Sequence, residues 1–118
     1  DEYIRECMFD MESGAAQAKA LLADVPDIDT VICATDTIAA GALQFLKSAG
    51  KRVPEDIKVV GFDDTVIAGI TTPSITTIHQ PIEEMSELSI AYIDRRRKGE
   101  MVPNVTTMPV SLVVRDSA

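Results

Sequence analysis

An α/β fold, specifically a doubly wound parallel sheet, is predicted by three features of the chain. Short apolar, β-branched runs at 30–34 (TVICA), 57–60 (IKVV) and 75–78 (ITTI) read as buried strands. Stretches with helical spacing of small and apolar residues lie around them. The resulting strand, helix, strand alternation calls for parallel pairing through right-handed crossovers. With 118 residues, 46% hydrophobic and 25% charged, the chain can form one soluble domain with a real core.

Residues 3–9 alternate loosely and read as a first strand. Asp10 then offers an N-cap, with Glu12 in the first turn of a helix running to about Ala23. Ala15, Ala18, Leu22 and Val25 form its stripe, and Pro26 with Asp27 breaks it. The strand at 30–34 leads into Thr35 and Asp36, either of which can cap the next helix. That helix ends at Gly50, a natural C′ residue. Ala39, Ala42, Leu43 and Leu46 make one apolar stripe on it, and Ile38 and Phe45 a second, so two covers are expected: its own sheet and another subunit.

The stretch VPEDIKVVGFDD at 53–64 organises the rest. Pro54 biases Val53 away from helix, Glu55 and Asp56 make a polar turn, and the strand that follows stops at Gly61. Phe62, Asp63 and Asp64 come next, where a strand's carboxyl end opens on the ligand crevice of an open α/β sheet. Carboxylates there can accept hydrogen bonds from a polar ligand; the plain alternative is a turn in which one aspartate caps a helix, and Asp64 fits that role better than Asp63. After a short apolar segment and the strand at 75–78, Pro81 opens a helix over 82–97, closed by Gly99, with Ile82, Met85, Leu88 and Tyr92 on its buried side. A final strand is expected over 106–114.

The net charge of −8 argues against this stretch gripping a phosphate backbone. Its one basic cluster, Arg95 to Lys98, falls at a helix end, where cations complement the dipole. Cys7 and Cys33 sit in apolar runs as small hydrophobes, and reduced thiols fit better than a disulfide between neighbouring strands. With one histidine, His79, there is no convincing zinc site, and neither a metal nor a cofactor is expected. No apolar run is long enough to span a bilayer and the start DEYIREC lacks a signal peptide, so no membrane partner and a cytoplasmic location are expected.

VPEDIKVVGFDD, preceded by ATDTIAAGALQFLKSAGKR and followed by TPSITTIHQP and PVSLVVRDS, resembles the effector-binding core of the LacI/GalR family of bacterial transcription regulators. The likeness runs from about Phe9 to Ser117. It implies a periplasmic-binding-protein-like fold of two lobes with a ligand between them, of which this is an incomplete fragment of the C-terminal lobe. Residues 1–78 would be part of the second lobe, 79–105 a crossover and a helix belonging to the first, and 106–118 a returning strand and tail. A strand and helix ahead of Tyr3, the basic residue that clamps ligand and the DNA-binding headpiece would lie outside the chain.

The same resemblance places Phe9 against the ligand as an aromatic surface, gives Asp63 its hydroxyl groups, and sets Gln80 at the crossover in contact with ligand or hinge. Thr35 stands where family members commonly have Asn, a departure that shortens reach and removes an amide donor pair. Ala40, Leu43, Ile70 and Ile75 are the matching candidates for self-association, and an intertwined homodimer would cover open strand edges. The expected function is therefore sensing of a small-molecule effector, a sugar or purine, and dimerisation for a regulator that meets DNA only through the headpiece, with no catalysis. Two alternatives stand beside it: half of a periplasmic sugar-binding protein of a transport system, and an enzyme holding magnesium between Asp36, Asp63 and Asp64.

Overall fold

The computed structural model describes residues 2–118. The elements run α1 (Met11–Asp24), β1 (Thr30–Ile32), α2 (Asp36–Ser48), β2 (Lys58–Asp63), α3 (Val66–Ile70), β3 (Thr76–His79), α4 (Ile82–Arg97) and β4 (Ser111–Val113). One sheet holds the strands in the order β1-β2-β3-β4. The first two pairings are parallel, with Val31 beside Val59 and Val60 beside Thr76, and β4 closes the edge antiparallel to β3. A parallel α/β sheet with one antiparallel edge strand is a common form of this class.

Asp10 caps α1 by accepting from the Ser13 amide at 2.7 Å, and Thr35 caps α2 by accepting from Ile38 at 3.2 Å. α2 and α4 each end in a glycine with positive φ, Gly50 and Gly99, and their last carbonyls are taken by the amides just beyond. Ala39, Ala42, Leu43 and Leu46 are buried as the stripe required, joined in the core by Val31, Val59, Ile57 and Ile75. Within the chain, the second cover of α2 is supplied by α1. At their crossing a Cβ on Gly14 would meet the Ile38 carbonyl and one on Gly41 the Met11 carbonyl, so two glycines let the backbones touch.

Three strands differ from expectation. Residues 3–9 form no ladder; the Arg5 guanidinium instead donates to the carbonyls of Glu2 and Ile4, and no described segment offers this stretch a partner strand. β2 does not stop at Gly61 but pairs with β3 through Asp63. The last strand shrinks to Ser111–Val113 because its partner β3 offers only Thr77 to His79 in register. Cys7 and Cys33 are free, and burial pushes the Cys33 thiol up to about 12.

α4 differs most from the rest. None of its residues is buried, Ile82 and Met85 are exposed, and only Leu88 and Tyr92 are partly covered, next to Pro103, Thr106 and Met108. The tail, by contrast, is fastened. Ser117 is fully buried between β2 and β3, its Oγ donating to the Val59 carbonyl at 2.6 Å and accepting from the Thr76 amide at 2.8 Å.

Candidate functional site

β2 and β3 end side by side, with Asp63 in register with His79, so the residues just after them share the carboxyl edge of the sheet. Asp63 and Asp64 both have positive φ, 108° and 56°. Aspartate tolerates this region better than most side chains, yet each such residue still stores on the order of 1–3 kcal/mol that surrounding contacts must offset. Those contacts are present. Gln80 Nε2 donates to Asp63 Oδ1 at 2.6 Å. Arg115 donates to Asp64 Oδ1 at 2.6 Å, and His79 Nδ1 lies 3.0 Å from Asp64 Oδ2. The Arg115 guanidinium, chiefly, holds the Asp64 carboxyl below its usual range; burial opposes it, and His79 adds a lesser lowering effect. Asp64 is therefore no cap for α3; that place is taken by Thr65.

Beneath this corner lies Asp36, at 0% exposure. Its Oδ2 accepts from the Thr65 amide at 2.6 Å and from the Thr65 hydroxyl at 3.0 Å, and its Oδ1 accepts from the Thr77 hydroxyl at 2.5 Å. Asp36 can sit there because Gly61 has no Cβ: one built on it would overlap the Asp36 carboxylate. With both oxygens taken by threonines, Asp36 is not available to share a magnesium ion with Asp63 and Asp64.

Asp63, Asp64, His79, Gln80, Pro81, Ile82, Glu83 and Glu84 line an open cleft of about 340 Å³. Asp63 and Gln80, 17 residues apart, are thus brought together in one depression. Thr35 is half-buried with its hydroxyl engaged by Ile38, and Phe9 is exposed at the start of α1. Neither lines that cleft. Of the residues named for self-association, Ile75 is wholly buried and serves the core, so it offers no surface. Ala40 and Leu43 are buried too, but they floor a shallow groove of about 240 Å³ with Met11, Lys47 and Thr71, and Ile70 is 74% exposed. Sequence reasoning missed Arg115, since nothing in PVSLVVRDS shows that its guanidinium reaches Asp64, 51 residues earlier.

Residues 2–118 match the family model of the periplasmic binding protein-like domain. The lactose operon repressor of Rhizobium radiobacter is 34% identical over 107 residues, covering 91% of this chain and 95% of that protein. The chain belongs to the LacI/GalR family. Another LacI/GalR relative, the HTH-type transcriptional regulator CelR of Thermobifida fusca, is 39% identical over 107 residues, 90% of this chain and 30% of CelR. Two solved structures have the same fold: the transcriptional regulator CelR–cellobiose complex (TM-score 0.87, 36% identity, 95% of this chain and 35% of that one) and the lac repressor dimer bound to operator and the anti-inducer ONPF (TM-score 0.90, 32% identity, 96% and 40%). The LacI/GalR chain described here spans about a third of the length of the first curated relatives it matches. No helix among its described residues is long and apolar enough to cross a membrane.

Proposed function

We propose that this chain contributes one wall of a small-molecule effector site in a LacI/GalR transcriptional regulator, and that the effector is a neutral, hydroxyl-rich compound of the sugar class. The observation that supports this most is the pairing of Asp63 with Gln80 at the carboxyl edge of the sheet: an acceptor and an amide in one open cleft, suited to sugar hydroxyls. Phe9 and Thr35 lie outside that cleft and join the site only as the family resemblance implies, the ring as an apolar surface. A relative solved with cellobiose supports the sugar class over purines. Residues 1–78 and 106–118 form one lobe and 79–105 reach into the other, a division supported by the absence of any buried residue on α4.

Binding energy that differs between open and closed lobes shifts their populations, and the shift reaches a DNA-binding part. Pairing of two copies through Ile70 and the groove floored by Ala40 and Leu43 joins two such sensors. The test is calorimetric titration of the regulator carrying this chain with cellobiose, lactose, ribose and hypoxanthine. One of the sugars is expected to bind, and Asp63→Ala to weaken it by about 10- to 100-fold, the loss of a charged acceptor worth about 1.5–3 kcal/mol. An unchanged affinity removes Asp63 from the site, and binding of hypoxanthine alone overturns the sugar class.

A further inference from the structure

Asp64 stands beside the point where the chain leaves the sheet for α4 and returns from it, since its partner His79 is in register with Ser111, the first residue of β4. His79, at 3.0 Å, is the last residue of β3, and Arg115, at 2.6 Å, lies two residues beyond β4. Arg115 is itself anchored: Nη1 donates to the Ile75 carbonyl at 2.9 Å and its amide to the Thr76 hydroxyl at 2.8 Å. One residue earlier, Asp63 accepts from Gln80. Two successive carboxylates thus hold two successive crossover residues, from a backbone of positive φ that places both at the strand end.

α4 gains little orientation from elsewhere. It buries no residue, and side-chain bonds beyond its own turns join it to the return segment: Tyr92 to Thr106, and Arg95 to Glu100 and the Met101 carbonyl. Helix and return segment are thus tied to each other. The angle between α4 and the sheet is then set where the two connections meet the sheet, which is where Asp64 stands.

We infer that Asp64 is a positioning residue, a latch that grips His79 and Arg115 together, sets the direction of α4 against the sheet and keeps Gln80 beside Asp63. This concerns contacts within the chain and stands apart from the choice of ligand. Spin labels at Ser48→Cys, on the exposed end of α2, and Glu87→Cys, on exposed α4, measure the angle as a distance. The background is Cys7→Ser, buried Cys33 does not label, and dilution with unlabelled chain removes distances between copies.

The parent is expected to give one narrow distance distribution, and Asp64→Ala and Arg115→Met each to widen it about twofold. Glu84→Gln, in the same cleft, should leave it unchanged. If Asp64→Ala does not fold, Arg115→Met and His79→Ala decide, because they remove the partners and leave the carboxylate. Parental width in the folded variants overturns the latch, including the case in which only the melting temperature falls.

Discussion

Asp36 holds a charge away from solvent, with two threonine hydroxyls and one amide in place of water. Removing the acceptor strands those donors under β2, so Asp36→Ala is expected to cost about 3 kcal/mol, read as a lower urea midpoint with an unchanged slope. The sequence shows Asp36 as a cap candidate beside Thr35 or a metal-holding carboxylate, not as a buried anchor, because its partners lie 29 and 41 residues away and no local pattern joins them. Asp63 was legible for the opposite reason: a strand followed by Gly, Phe and two aspartates is a contiguous signal. Its neighbour Asp64 was misjudged as a cap, since the competing cation, Arg115, is distant in sequence and near in space.

The crossing of α1 and α2 depends on glycine, and here two effects oppose. Gly41→Ala would ordinarily favour a helix by about 1 kcal/mol. At this position the new methyl meets the Met11 backbone, which cannot rotate away, and overpacking of that kind costs about 1–3 kcal/mol and shifts the helix. The steric cost wins, so a net loss of about 1–2 kcal/mol is expected in chemical denaturation, against a gain at an open helical site. Helices were the most legible elements because caps, stripes and terminal glycines are all local. Strands were less so. Residues 3–9 alternate as a strand should, but a strand exists only with a partner, and β4 is cut short by the length of β3 rather than by its own composition.

At the scale of the molecule, the radius of gyration is 17.6 Å and the long axis 58 Å. A compact chain of this length would have a radius near 13.5 Å, and the excess is carried by α4 standing off the sheet. The sheet is also unevenly covered: Val31 and Val59 are buried on one face, while Ile32 on the other is 79% exposed. Acid should loosen this molecule through its paired carboxylates. Arg52 holds Asp56 down to about 2, and Arg115 holds Asp64 below the ordinary carboxylate range. A depressed folded pKa contributes stability that is complete above the unfolded value and lost as pH falls through the folded one. The denaturant midpoint is therefore expected to drop as pH is lowered from about 4 toward 2, with a shallower drop in Asp64→Asn. The two connections to α4 meet the sheet at one place, His79 beside Ser111, which also limits how copies can trade parts. A neighbour's helix cannot arrive on one connection alone without breaking the pairing of His79 with Ser111, so any exchange must carry the helix and both its tethers as one piece.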